Sequence, residues 1–237
     1  MNPRQVLAPA GRLRVGAFSG SPLSMVTDRK TGETHGLCID LGKEMAKRLG
    51  VSFEQVNYQR IAEVIEAMKA SQVDFTISNA TRARAAHVSF SQTLISLELG
   101  YLVAAASPIA KISDADKPGL RVGVTQGSTS QGTIPKLLPN ATVVAAENSR
   151  RAIEMLQRCE IDLFATNKPT LFEMSDLMPG ARVLAGRWGV EHIAIAIPKG
   201  REAATEYLRR FVDEAQAGGL LSEAVERAGL RGVVKSR

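Results

Sequence analysis

Three short stretches carry side chains suited to gripping an anion. Val122-Gly123-Val124-Thr125-Gln126-Gly127-Ser128-Thr129 reads as a buried strand, a glycine turn and a helix opening on hydroxyl residues. The first N–H groups of a helix lack intrahelical acceptors, and the helix dipole adds partial positive charge there. Gly127 lets the backbone come close, and Ser128 or Thr129 can cap the helix or bond a ligand oxygen. Such a turn can seat a carboxylate or a phosphate, and it is also the ordinary form of a capped strand-to-helix turn. Thr81-Arg82-Ala83-Arg84 follows a second buried strand. Thr81 is placed to cap the turn, and one arginine there can hold a carboxylate through two parallel hydrogen bonds. Asn167 ends a third strand, where its amide offers a donor and an acceptor.

Glu191-His192 is an adjacent acid and base suited by type to proton transfer. Strand alternation sends the two side chains to opposite faces, which argues against joint action. Phe18 and Tyr58 sit at strand ends, where either could wall a pocket or pack in the core. Trp188, the one tryptophan, precedes a long apolar strand. Asp74 and Asp162 each precede an apolar strand and read as structural turn residues. Serine-nucleophile, P-loop, dinucleotide and zinc-protease motifs are absent from the sequence. His35, His87 and His192 stand far apart, and Cys38 and Cys159 form no CxxC, so neither a zinc site nor a disulfide framework is expected. No cofactor is implied.

The elements that must position these residues repeat. Leu13-Arg14-Val15-Gly16 returns as Leu120-Arg121-Val122-Gly123. The stretch from Glu66 to Asn79 matches the stretch from Glu154 to Asn167 in pattern: helix end, turn, Asp, apolar strand, Asn. Asn79 thereby becomes the first-half counterpart of Asn167. Two alternating strand–helix units are predicted. In the first, periodicity gives strands over 13–18, 51–58 and 73–78, and helices over 40–50 and 61–70. A surface turn falls over 28–32. In the second, strands fall over 120–124, 142–146 and 161–165, with helices over 129–138, 149–158 and 172–178. Apolar strands over 100–106 and 191–198 pass between the units, and helices over 202–217 and 220–228 close the chain. The expected organisation is a tail over 1–10, one lobe from 11–102 plus 196–237, a second lobe from 107–190, and hinges near 102–107 and 190–196. Ligands of open α/β sheets sit beyond the carboxyl ends of the strands.

The chain has 237 residues, 44% hydrophobic and 23% charged, which suits a globular protein with a core. A formal net charge of +6 fits an acidic partner or a membrane face, but the basic residues are scattered without aromatic interleaving, so no nucleic-acid platform is expected. No apolar run approaches a membrane-spanning length, and residues 1–10 lack the apolar core of a signal peptide. On that reading the protein is cytosolic, or an export signal has been removed.

From residue 11 to about 229 the chain resembles the periplasmic amino-acid-binding proteins of ABC transporters, the solute-binding proteins of family 3. Leu13-Arg14-Val15-Gly16 resembles the family's opening strand, and Gly36-Leu37-Cys38-Ile39-Asp40-Leu41 its helix entry. Thr81-Arg82-Ala83-Arg84 followed by Val88-Ser89-Phe90-Ser91 resembles its Thr-x-x-Arg and Phe-Ser block, and 122–129 its second anion turn. The resemblance implies a type II periplasmic-binding-protein fold, two α/β lobes joined by two hinge crossings. It implies that Arg84 holds a ligand carboxylate from the first lobe and Thr129 from the second, with Ser128, Thr81, Asn79, Asn167, Phe18 and Glu191 completing the site. It further implies a periplasmic monomer, an inner-membrane permease as partner, and closure of the lobes on the ligand. Asn167 stands where many relatives have an Asp for the ligand's ammonium, the loop between Asp74 and Arg84 is two residues short, and Gly20 replaces an aromatic before Pro22's loop. A non-amino organic acid, or an amino acid whose ammonium meets Glu191 or backbone carbonyls, both fit. Two alternatives share the scaffold: an enzyme resembling cyclohexadienyl dehydratase with Glu191 as acid, and a ligand-sensing domain acting through a separate chain.

Overall fold

The alternation of apolar and amphipathic stretches becomes, in the computed structural model, an alternation of strands and helices; the structure describes residues 2–28 and 31–234. The first elements are α1 (Pro3–Leu7), β1 (Arg12–Phe18), β2 (Val26–Thr27), β3 (Thr34–His35), α2 (Leu37–Leu49), β4 (Ser52–Tyr58), α3 (Ile61–Lys69), β5 (Thr76–Asn79) and α4 (Arg82–Ala85). There follow β6 (Val88–Val103), β7 (Arg121–Thr125), α5 (Thr129–Leu137), β8 (Thr142–Ala146), α6 (Ser149–Gln157), β9 (Leu163–Asn167), α7 (Lys168–Asp176) and β10 (Arg182–Val183). The last are β11 (Gly189–Pro198), α8 (Thr205–Ala217) and α9 (Leu220–Arg227). The turn expected over 28–32 includes Arg29 and Lys30, which lie outside the described residues.

Contacts divide the chain into two compact units, Met1–Ser96 with His192–Leu230, and Leu97–Glu191 with Arg231–Arg237. The chain therefore changes unit at 96/97, at 191/192 and again at 230/231, a third passage of which the sequence carries no sign.

In unit 1, β1 pairs in parallel with β4, Val15 bridges in parallel to Phe75 just before β5, and β5 pairs antiparallel with β11. Ile61, Val64, Ile65 and Met68, the predicted face of α3, pack with Val73, Val88 and Ala196. Residues 3–7, expected to lie in a tail, form α1, capped by the Asn2 side chain and anchored by buried Leu7.

In unit 2, β7 pairs in parallel with β8 on one side and β9 on the other, while β6 pairs antiparallel with β9 and β10. Its core includes two apolar clusters. One gathers Tyr101, Val122, Val124 and Ile134, and the other Phe164, Leu156, Leu171 and Met174. Strand alternation between two covered faces produces this division. Trp188 stacks on Tyr101 at 6.1 Å between ring centroids and donates its indole N–H to the Gly100 carbonyl at 2.8 Å.

The repeat read in the sequence has the same hydrogen-bond skeleton in both units. Arg14 donates Nε and Nη2 to the Asp74 carboxylate, both at 2.8 Å, and its backbone N–H at 3.1 Å. Arg121 donates the same three groups to Asp162 at 3.1, 2.9 and 2.7 Å. Each Asp N–H returns a bond to the arginine's carbonyl, at 2.8 and 2.9 Å. The helix before each Asp ends alike: Ser71 and Cys159, the two non-glycine residues with positive φ among those described, hold 55° and 53°. Asp74 and Asp162 are thus structural, but as the anchors of a strand-end ion pair rather than of a turn alone.

Candidate functional site

At the end of β5, three of the expected residues come together in unit 1. Thr81 is the N-cap of α4, and its hydroxyl accepts the Arg84 backbone N–H at 3.2 Å. That cap turns the chain so that Arg84 reaches back to Ser78, donating Nη1 to its hydroxyl at 2.7 Å. Ser78 is buried, Arg84 half-buried and Arg82 exposed, so Arg84 is the arginine that the fold positions. Asn79 accepts the His192 backbone N–H on its side-chain oxygen at 3.2 Å, and the Ala80 N–H bonds the His192 carbonyl at 2.8 Å. These bonds tie the end of β5 to β11. Phe18 packs against the α3 cluster, and its N–H bonds the Ser24 hydroxyl at 2.8 Å.

In unit 2, the turn after β7 forms as read. Gly127 holds φ +73°, and Ser128 is the N-cap of α5, accepting the Gln131 N–H at 3.3 Å. Thr129 is the first helical residue. The Gln131 side-chain carbonyl accepts the Gly127 N–H at 2.7 Å, so this glutamine reaches back over the turn. Sequence reasoning passed over it, although Ser128-x-x-Gln131 has the spacing of a capping box. It also passed over Ser78 as the support of Arg84; nothing in local sequence marks that role, which depends on where the α4 cap points the arginine.

Asn167 does two jobs in the same unit. Its oxygen accepts the Thr170 N–H at 3.1 Å and so caps α7, and its amide N–H donates to Glu191 Oε1 at 2.8 Å. Glu191 is buried at 6% relative exposure while His192 is exposed, as strand alternation requires. Glu191 and His192 therefore do not form an acid–base pair. The His192 ring nitrogen Nδ1 instead lies 2.9 Å from the Ser96 hydroxyl. Asn167 and Glu191 place an amide and a carboxylate side by side at the end of β9, in the unit that also carries the α5 turn.

Ionisation elsewhere marks structure. For Asp74, burial alone would raise the carboxyl, but hydrogen bonds from Arg14 and Arg201 outweigh it and hold it below the usual carboxylate range. Burial pushes the Cys38 thiol up to about 11 and the Tyr101 phenol to about 12. No group of three or more metal-ligating side chains occurs among the described residues.

The chain is similar to several known proteins. A glutamine-binding protein of Geobacillus stearothermophilus is 26% identical over 202 residues, covering 84% of this chain and 77% of that one. The ABC transporter glutamine-binding protein GlnH of Bacillus subtilis is 23% identical, over 83% and 73% of the two chains. Among solved structures, an ancestral amino acid-binding protein described as a precursor of cyclohexadienyl dehydratase superposes with a TM-score of 0.84 at 25% identity, over 96% of this chain and 99% of that one. The L-cysteine solute receptor of Neisseria gonorrhoeae superposes with the same TM-score of 0.84 at 21% identity, over 96% and 93%. These neighbours have the type II periplasmic-binding-protein fold, mixed α/β, which this chain shares. The family profile described as bacterial extracellular solute-binding proteins, family 3, matches residues 13–229. The chain is a member of that family.

Proposed function

We propose that this protein is the solute-binding component of an ABC importer and captures an amino acid or a related small carboxylate. The observation that carries this reading is the setting of Arg84: a guanidinium anchored by Ser78 and aimed by the Thr81 cap at the end of a strand. A planar fork held this way can receive a carboxylate through two parallel bonds with little further ordering cost. Ser128 and Thr129, with the N–H groups that open α5, give unit 2 an anion-binding turn of its own. Asn79 and Phe18 complete the first half. Glu191, oriented by Asn167, receives a cationic group of the ligand, which favours an amino acid over a carboxylate without nitrogen.

The two named relatives are glutamine-binding proteins, which supports capture over catalysis. An inner-membrane permease is then the receiving partner, and the protein works as a periplasmic or extracellular monomer. A thermal-shift screen over amino acids, keto acids, dicarboxylates and aromatic acids tests the reading. A true ligand at a hundred times its dissociation constant stabilises by about 2.7 kcal/mol. Arg84→Ala abolishes that shift while the unliganded melting temperature stays in place. Unchanged affinity by titration calorimetry removes Arg84 from the site.

A further inference from the structure

The third passage of the chain between units ends in a segment with its own docking site. After α9, Arg231 donates Nη2 and Nη1 to the two Asp176 carboxylate oxygens at 2.5 and 3.3 Å. Its guanidinium carbon lies 4.7 Å from the Phe172 ring centroid, and Glu173 is 3.8 Å away. Gly232 holds φ +80°, and a Cβ there would meet Lys168 Cβ at 2.5 Å, so the backbone lies directly against α7. The Gly232 carbonyl then accepts the Glu98 N–H at 3.0 Å, and Val233 bridges antiparallel to Leu97. Glu98 is itself held by Lys168 at 2.5 Å and Arg187 at 3.2 Å.

Leu97 is the first residue of unit 2 on β6, the strand on which the chain first changes unit. Residues 231–234 therefore grip the crossing strand at the point where it enters unit 2, and they are covalently continuous with α9 of unit 1. A strand at such a point is stiffened by a neighbour hydrogen-bonded across it. A tether returning to the same place further restricts the excursions of whatever it joins. We propose that residues 231–234 form a strap, latched by Arg231 on Asp176 and Phe172, which clamps the entering end of β6 and limits how far the two units move relative to one another. The strap is a restraint on motion and makes no demand on which ligand is bound, so it stands apart from the functional reading above.

The test uses the full chain without ligand. Arg231→Ala removes the latch, and Asp176→Asn weakens it from the other side without touching the strap. Amide exchange at Glu98, whose N–H bonds the strap, accelerates in Arg231→Ala by about fivefold, the factor equivalent to the ~1 kcal/mol that a favourable exposed ion pair contributes. Exchange in β7 and β9 stays at the wild-type rate. Spin labels on exposed Cys159 of unit 2 and on Glu66→Cys in unit 1 read the distance between units. Its distribution broadens in both variants, and less in Arg231→Lys, which keeps the charge and loses the fork. Unchanged exchange at Glu98 shows that Arg231 is no latch and overturns the proposal. Faster exchange with an unchanged distance distribution shows that the strap docks without restraining, and overturns it equally.

Discussion

The two arginine–aspartate anchors are chemically alike but differ in setting, and that difference predicts unequal consequences of the same substitution. The Asp74 side chain is fully buried, with Arg14 on one side and Arg201 on the other, each at 2.8 Å. Arg201 also donates to the Leu7 carbonyl at 3.2 Å, which ties α1 into the same cluster. Asp162 is 27% exposed and among the described residues pairs with Arg121 alone, itself 40% exposed. Removing one partner of a buried ion pair costs roughly 3–5 kcal/mol, because the remaining charge is stranded away from water. Asp74→Asn keeps the shape and one acceptor, so the lower end of that range, ~3 kcal/mol, applies. With a urea dependence of roughly 2 kcal/mol per molar, the midpoint falls by about 1.5 M. Asp162→Asn, screened by solvent, moves it by much less.

The expected readout is a urea titration of both variants at neutral pH. Far-UV circular dichroism follows both units, and Trp188 fluorescence follows unit 2. Asp74→Asn gives the larger loss by dichroism, and the small effect of Asp162→Asn is seen mainly in fluorescence. The acid limb gives a second check. The Asp74 carboxyl is lowered in the folded state, so its stabilisation is complete above the unfolded carboxylate value, near pH 4. It disappears as pH falls through the lower folded value. Wild-type stability therefore drops in that acid window while Asp74→Asn stays flatter. Equal midpoint shifts for the two variants, or parallel acid limbs, refute the reasoning from burial.

Gly16→Ala and Gly123→Ala place a methyl 2.7 Å from Val64 Cγ1 and 2.4 Å from Ile161 Cδ1, and each is expected to lower stability by about 1–3 kcal/mol in thermal melts. The Tyr101 hydroxyl is buried with no hydrogen-bond partner among the described residues, so Tyr101→Phe is expected to raise the melting point, by the equivalent of about 1 kcal/mol. Asn167→Ala removes the α7 cap at a cost of about 1 kcal/mol and also releases Glu191. It should therefore weaken binding of an amino acid more than that of the matching keto acid in calorimetry. An aromatic disulfide reagent should modify Cys159 and spare Cys38 until the protein unfolds, as counted by released thiolate.

Strands whose apolar residues are flanked by breakers, such as β1, β7 and β8, were legible in the sequence because local period and turn chemistry agreed. So was the Thr81 cap, whose residue type announces it, while the second cap was legible only as Ser128 or Thr129 and falls on Ser128. The first half of β6 was not legible. Residues 88–99 mix Ser, Gln and Glu with apolar positions, and the strand exists through its partners rather than its own pattern. The start of α7 was misplaced by four residues, although Asn167 followed by Lys168-Pro169 spells a capped first turn with proline inside it. The Arg14–Asp74 and Arg121–Asp162 anchors were half legible. Both partners lay in the repeated motifs, but the pairs are 60 and 41 residues apart, and no local spacing joins them. Gln131 and Ser78 show the same limit at the site, where a side chain's role is set by the direction in which a neighbouring turn points.

The matched bend at Ser71 and Cys159 has a practical corollary. Both blocks begin on a helix's last turn, pass through a left-handed residue and finish on a strand-ending asparagine, although few of their side chains coincide. Such a block behaves as an interchangeable cassette. Grafting one copy into the other's place would preserve the main-chain path and exchange only the packing face, making the protein a ready host for asking how much a core must be tailored to its own backbone.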